Sequence, residues 1–583
     1  MGLLSILVLL VGAIMGVNLY YAWGGLLLVG IILRRSILEW WQLWQGLVPL
    51  WKASDNFGRS IAIGVGLIFL FTLTVALSPP LKFDSLSYHL AVPQVYLNTG
   101  RITYIAENML WGMPQLASML YLWSITLAGI PTAGVICWCF GLLAIIGLLG
   151  FVSQKLNVRA AWVAVASLMA SYSLASSLAW VYVDWASILF GLVIVISLDL
   201  WRISTRRAHI LLAGTFAGLI MGIKYTAGVL IFAGLVNIWW VTNKHNVSFW
   251  RPMVEFVIVA GVFSFPWFGK NLVATGNPFY PFIFPSGEMN NFRLSLYQSH
   301  PIEGNWQDLL FLPIRATFLG IEGGRIIDGP GYSSSIGPLL IGLGALAWVN
   351  WRAYSQEKRC FVKNIAILSG VSVLLWAVAG RITGPLLSTH LYFSIFPLLA
   401  ILAGIGFLNI DRLHIHNIRL GYIASVLVGM VLWFNLIQVG VDTFRLGAPQ
   451  VQLGIKTEQD YMTENLGWHI VAMQSIRDLP ADANVLMLWE PRSLYCQPQC
   501  NPDEVIDRWL HDLAIWQTPA AVLNSWQNTD FTHVLYYRTG ADLVRQEDSR
   551  YTPADWQALD QLLTSLPEPI EFGDAYALYS LEP

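Results

Sequence analysis

The sequence predicts a polytopic α-helical membrane protein of about thirteen transmembrane helices, followed by a small C-terminal α/β domain. Three observations predict it. The 583 residues are 56% hydrophobic and 12% charged, with a mean hydropathy of +0.58, whereas a soluble domain is roughly 45–50% apolar and about 25% charged. Apolar runs of spanning length recur from residue 2 to residue 440, and beyond residue 441 the composition turns to that of a water-soluble domain. A formal charge of -2 supplies no basic surface for nucleic acid, and 27 Trp with 22 Tyr suit aromatic belts at the two membrane interfaces. The expected partners are lipids and what lipids carry.

A span needs about 20 apolar residues. Candidates lie near 2–17, 19–33, 59–78, 133–152, 160–181, 185–201, 208–223, 226–242, 252–270, 336–350, 362–379, 388–408 and 419–440. The first run lacks a basic n-region and continues through Tyr20 and Tyr21, so it reads as a retained hairpin rather than a cleaved signal peptide. Residues 1–58 thus form an N-terminal hairpin with an amphipathic segment on the cytoplasmic side. Residues 59–440 are the main membrane region, with outer loops 79–132 and 271–335, and residues 441–583 are an outer domain.

Lys and Arg crowd alternate short loops, at Arg34, Arg35, Lys52, Arg59, Lys155, Arg159, Arg202, Arg206, Arg207, Lys244, Arg251, Lys358, Arg359, Arg412 and Arg419. Positive charge is retained on the cytoplasmic side. Asp84, Asp184, Lys224, Arg381 and the C-terminal domain are then extracytoplasmic, in an inner or plasma membrane crossed many times. The apolar stretch Pro114–Leu127 is too short to span, so it is expected to lie at the membrane surface.

In the C-terminal region, Ala483–Trp489, Thr532–Tyr537 and Ala575–Tyr579 read as strands, and Asp503–Trp516 and Thr552–Leu566 as helices. No Gly-rich fingerprint follows the first strand, where Glu490-Pro491-Arg492 stands instead, so a nucleotide site is unsupported. Cys496 and Cys500 flank Gln-Pro-Gln. Without a neighbouring His or further Cys they do not read as a zinc site, and outside the cell they could close a structural disulfide.

The outer loops collect the polar groups that could carry chemistry. Asp84 follows the Pro79-Pro80 break after an apolar run, and a carboxylate at the mouth of a span is costly unless it has a task. It either caps a helix opening at Ser85 or acts as a general base, and Tyr88 and His89 lie one turn further on adjoining faces. Arg101 and Glu107 follow in the same loop. Asp184 precedes an apolar run, as a turn residue or a functional carboxylate. Lys224, beside Tyr225, either snorkels to the interface or meets a phosphate. Arg381 and His390 flank Gly384-Pro385, and an Arg fork suits a phosphate. Glu322, Gly323, Gly324, Asp328 and Gly329-Pro330-Gly331-Tyr332 form a Gly-rich stretch suited to a substrate-covering loop or an ordinary tether. Its two acids make no metal-ligand pattern.

These residues resemble the GT-C class of membrane glycosyltransferases, in the glycosyltransferase family 39-like branch of protein O-mannosyltransferases and lipid A aminoarabinose transferases. The resemblance rests on Asp84 with Tyr88-His89-Leu90, Gly100-Arg101, Pro114 and Asp184. It continues through Gly214-Thr215-Phe216-Ala217-Gly218, Gly222-Ile223-Lys224-Tyr225-Thr226 and Gly276-Asn277-Pro278, and covers most of residues 59–410. It implies transfer of a sugar, with inversion, from a polyprenyl-phosphate donor to a glycan, lipid or protein acceptor on the outer face. Asp84 resembles the catalytic base, Lys224 and Arg381 would steady the phosphate, and Tyr88, His89, Arg101, Glu107, Asp184, Tyr225 and His390 would line the substrate. No cofactor is implied, and a metal has no support. Ser85 stands where relatives often carry a second acid, and His390-Leu391-Tyr392 stands where many show Arg-Tyr. Two other readings are a transporter or flippase of a lipid-linked saccharide, and a non-catalytic membrane scaffold in which Asp84 is only a cap.

Overall fold

The computed structural model describes residues 1–581 apart from 45, 245–247, 300–302, 323–324, 327–328 and 416–417. Every expected apolar run is helical. Among the described residues nine helices are long and apolar enough to cross a membrane: Leu19–Glu39, Asn56–Ala76, Pro131–Lys155, Asp184–Ser204, Tyr225–Lys244, Trp250–Thr275, Gln356–Thr383, Thr389–Asp411 and Leu420–Leu446. Four of the expected spans are shorter helices: Gly2–Ile14, Val158–Met169, Arg207–Met221 and Leu339–Trp348.

The shortening has local causes. The run expected over 160–181 stops after Met169 because Ser171 caps a new helix, Tyr172–Ser177, accepting from Leu174 N while its hydroxyl donates to Ser335 O. The helix Arg207–Met221 ends at Gly222, and a new one starts after Lys224. Irregular backbone at membrane depth survives only where protein surrounds it.

The stretch after Pro114, expected to lie at the membrane surface, is packed among other helices. Nine of the 13 residues of the helix Leu116–Ala128 are buried, and Ser5 Oγ of the first helix donates to Leu116 O at 2.5 Å. Cover from the N-terminal helix and from Pro131–Lys155 turns a short apolar helix into an internal one.

Helices Arg207–Met221 and Trp250–Thr275 approach closely because Gly214, Gly218 and Gly222 recur every four residues on one face. A Cβ at Gly214 would sit 2.8 Å from Phe256 O, and at Gly218 it would collide with Ala260 O. Small residues permit such backbone contact in a membrane, where apolar burial drives no helix association. The contact brings Lys224 and Lys270 to the same end of the bundle.

The C-terminal domain begins at Gly447, after Leu420–Leu446, and carries a five-stranded sheet. Its order is Cys500–Asn501, Val485–Leu488, His533–Tyr537, Tyr576–Ser580, Ile570–Phe572; the first three strands are parallel and the last two antiparallel. Alternate residues of Val485–Leu488 enter different cores. Leu486 and Leu488 meet Trp509, Trp526 and Trp556, while Val485 and Met487 meet Ala472, Met473 and Ile476. A strand covered by helices on both faces reads as the unbroken apolar run seen in the sequence. The helix expected near 552–566 is Pro553–Thr564, opened by a reciprocal cap between Thr552 and Asp555.

Candidate functional site

Asp84 stands at the head of a π-helical turn, Ser85–His89, and its side chain makes no capping bond. Of the two sequence readings, the cap is therefore the one the geometry does not realise. Its carboxylate accepts from Tyr88 Oη at 3.4 Å, and its backbone N–H meets Tyr182 Oη at 3.4 Å. Single π turns are rare and collect at functional sites.

Asp184 is the first residue of the helix Asp184–Ser204 and is buried. The turn before it is tight. Val181, β-branched, is held at φ 57°, a conformation such residues avoid, and Tyr182 O accepts from Tyr121 Oη at 2.5 Å. Lys224 Nζ reaches Asp184 Oδ1 at 2.6 Å and His390 O at 3.4 Å. His390 is fixed in turn by Ser333 Oγ, 2.8 Å from Nδ1. His89 is buried between Tyr88, with ring centres 4.1 Å apart, and Tyr182 at 5.9 Å.

The electrostatics follow from this enclosure. Burial raises the Asp84 carboxyl to about 6; Lys224 and the Tyr88 hydroxyl oppose the rise, and Asp184 adds to it. Burial, then Lys224, holds the His89 imidazolium well below its usual range, so this ring is neutral. A carboxylate near 6 is mostly ionised at neutral pH yet still basic enough to accept a proton.

The structure thus brings together Asp84, Tyr88, His89, Asp184, Lys224 and His390. It does not bring four others to them. Arg101 is exposed, and its Nε donates to Ala13 O at 3.0 Å, tying the loop to the first helix. Glu107 is exposed. Tyr225 Oη turns instead to Gly112 O at 3.3 Å. Arg381 is exposed in the last turn of Gln356–Thr383 and has no ion pair among the described residues. Glu322 pairs with Lys82 at 2.5 Å, and Lys82 lies over the Trp180 ring at 4.4 Å; Gly323, Gly324 and Asp328 lie outside the described residues. The Gly276-Asn277-Pro278 stretch is a folded turn in which Asn277 Nδ2 donates to Phe282 O at 2.7 Å and Phe284 O at 2.8 Å. Cys496 and Cys500 form a disulfide.

Sequence reasoning missed Lys270. It lies near the end of Trp250–Thr275, with Nζ 3.4 Å from the Trp111 ring centre and donating to Trp111 O at 2.6 Å. Among the described residues it has no carboxylate partner. The next residue, Asn271, donates to Gly112 O at 2.7 Å and to Tyr225 Oη at 3.4 Å. Lys224-Tyr225 and Lys270-Asn271 therefore flank one turn, residues 109–112. The signal in the sequence was a lone Lys late in an apolar run.

A cavity of about 400 Å³ lined by Arg202, Trp240, Lys244 and Cys360 opens elsewhere. Arg202 is 18 residues beyond Asp184 on one helix, about 27 Å away along its axis.

The chain matches no protein-family model and no curated protein in sequence. In structure it is similar to ArnT from Cupriavidus metallidurans, both bound to undecaprenyl phosphate and in the apo state. Each superposes with a TM-score of 0.55 at 14% identity, covering 90% of this chain and 97% of ArnT. The archaeal oligosaccharyltransferase AglB from Archaeoglobus fulgidus, in complex with an inhibitory peptide and a dolichol-phosphate, gives a TM-score of 0.48 at 10% identity over 83% of this chain and 70% of AglB. The chain has the fold of ArnT along nine-tenths of its length, with nine helices among the described residues long and apolar enough to cross a membrane.

Proposed function

We propose that this protein is an inverting glycosyltransferase that moves a sugar from a polyprenyl-phosphate donor to an acceptor on the extracytoplasmic face, with Asp84 as general base. The observation that carries the reading is a carboxylate raised to about 6 beside the Lys224–Asp184 pair, at the end of the bundle covered by the C-terminal domain. Fold likeness to a protein crystallised with undecaprenyl phosphate is what points to a lipid-phosphate donor.

In the reaction Asp84 takes the proton from an acceptor hydroxyl or amine. The acceptor atom bonds to the anomeric carbon from the face opposite the phosphate, the bond from that carbon to the phosphate oxygen breaks, and its electron pair leaves on the lipid phosphate. His89 is neutral and Lys224 is already matched by Asp184. Asp84, Asp184 and Lys224 together carry one net negative charge, which repels a phosphate. Lys270 has no carboxylate partner among the described residues, and its amine is the donor we assign to the leaving group in place of the paired Lys224 and the exposed Arg381. The acceptor is a glycan, lipid or protein group.

The test is mass spectrometry of glycans and glycolipids from cells carrying the protein or its Asp84→Asn variant. Loss of one glycosylated product, with folding and lipid binding retained, is expected. A product unchanged in Asp84→Asn overturns the reading. Saturable transport that survives the substitution points to a flippase instead.

A further inference from the structure

Asp84 is half-buried and sits at the head of a turn that departs from regular helix. The π turn Ser85–His89 leaves helical register just where the catalytic carboxylate must be fixed. Within the membrane region it is tied by Ser85 Oγ, which donates to Trp180 O, and by the bond between Asp84 N and Tyr182 Oη. Lys82, two residues before Asp84, adds its pair with Glu322 and its contact with the Trp180 ring, and a further set of supports comes from the C-terminal domain. Leu86 O accepts two backbone amides, Ser493 N at 3.1 Å and Leu494 N at 3.0 Å. Tyr495 Oη donates to Pro80 O at 2.7 Å, and the Arg492 guanidinium lies 6.0 Å from the Phe83 ring centre. These contacts bracket Asp84 on both sides in sequence.

The donor loop is itself rigid. Arg492 grips the buried Glu490 through Nε at 2.8 Å and Nη2 at 2.6 Å, and its own amide donates to the same carboxylate at 2.9 Å. Tyr576 Oη donates to Glu490 Oε2 at 2.5 Å, joining the loop to the strand Tyr576–Ser580. The Cys496–Cys500 disulfide closes the chain directly after Tyr495. A loop braced this way can transmit position from the sheet to the turn.

We propose that the segment Arg492–Tyr495 is a positioning element of the active site, through which the C-terminal domain holds the Asp84 turn in its productive geometry. This rests on the reading of Asp84 as the base. Positioning residues matter because a misplacement of about 1 Å can cost a hundredfold in rate. Loosening the turn also admits water to Asp84, which lowers the carboxyl back towards its ordinary value.

The experiment uses the full chain in detergent or nanodiscs, with Tyr495→Phe, Arg492→Met and Asp84→Asn. Backbone amide hydrogen exchange of residues 80–90 is measured alongside steady-state turnover at a series of pH values. The expected result is faster exchange over 80–90 in Tyr495→Phe and Arg492→Met, and kcat reduced about ten- to a hundredfold. Donor KM stays within about twofold, because ground-state binding is untouched, and the acid limb of the kcat profile moves down by about one unit. Unchanged exchange in both variants overturns the proposal whatever their activity. Faster exchange with unaltered kcat and acid limb, while Asp84→Asn is inactive, also overturns it. An active Asp84→Asn enzyme removes the reading of Asp84 as base, and exchange then still decides whether the clasp holds the turn.

Discussion

Lys224 Nζ and Asp184 Oδ1 meet at 2.6 Å across a gap in which one helix has just ended and another is about to begin. Both side chains are largely buried, at 14% and 2% exposure. A pair of this kind is costly to break, because removing one partner leaves the other charged and unmatched. Lys224→Met and Asp184→Asn are each expected to lower stability by about 3–5 kcal/mol. Replacing both residues together with apolar ones should recover most of that loss, as thermal unfolding in detergent would read.

The same pair should tune Asp84 in opposite directions. Lys224 opposes the rise of the carboxyl and Asp184 adds to it. In wild type, kcat/KM should therefore rise with pH to a plateau above about 6, as Asp84 loses its proton. Lys224→Met moves that limb upward and Asp184→Asn moves it downward, in pH–rate profiles of whatever activity each variant retains. Shifts of the same sign in both variants would contradict this.

The Lys270 amine has no carboxylate partner among the described residues and donates to Trp111 O. If it donates to the donor phosphate as assigned, its loss removes a hydrogen bond to a charged group worth about 1.5–3 kcal/mol, so donor KM in Lys270→Met should rise roughly ten- to hundredfold. Inhibition by free polyprenyl phosphate should weaken in parallel. Arg381→Ala is the control, because an exposed Arg contributes about 0–1 kcal/mol and its KM change should stay within about fivefold.

Where the C-terminal domain meets the helix Asn291–Gln298, Asp503, Glu504 and Asp507 gather around Arg293, whose Nε lies 3.3 Å from Asp507 Oδ2. Burial raises all three carboxyls; Asp503 adds to the rise of Glu504 and Asp512 to that of Asp507, while Arg293, His511 and Arg550 oppose it at Asp507. For an acid raised in the folded state, the stabilising contribution is complete below its unfolded value. It is lost as pH rises through the folded value. Stability of the domain contact should therefore decrease as pH rises through about 6, where Asp503 loses its proton, and Glu504→Gln should flatten the decrease. Limited proteolysis between the domain and the bundle, followed across pH, measures it.

Much of the architecture was legible because it is written locally. Apolar runs of spanning length are found where helices form, and the break at Pro79-Pro80 and the turn spacing of Asp84, Tyr88 and His89 put these three groups together. The continuous Val485–Leu488 run marked a strand covered on both faces. Less legible were the places where a helix ends early for a tertiary reason. Ser171 stops one by capping the next, and Gly222 stops another where Trp267 leaves no room for a side chain.

By itself the sequence determined the class of the protein, the order of its helices, the presence of a C-terminal α/β domain and the loops from which a site could be built. All of these depend on residue type and spacing, which water and lipid read along the chain. Only the tertiary structure decided that Lys224 is matched by Asp184, that Arg381 is exposed, that Lys270 has no carboxylate partner among the described residues, and that Tyr495 supports Pro80 from 415 residues away. Whether a charge is neutralised or a turn is held depends on which groups packing places within about 3–4 Å of each other, and spacing along a chain carries no such distance.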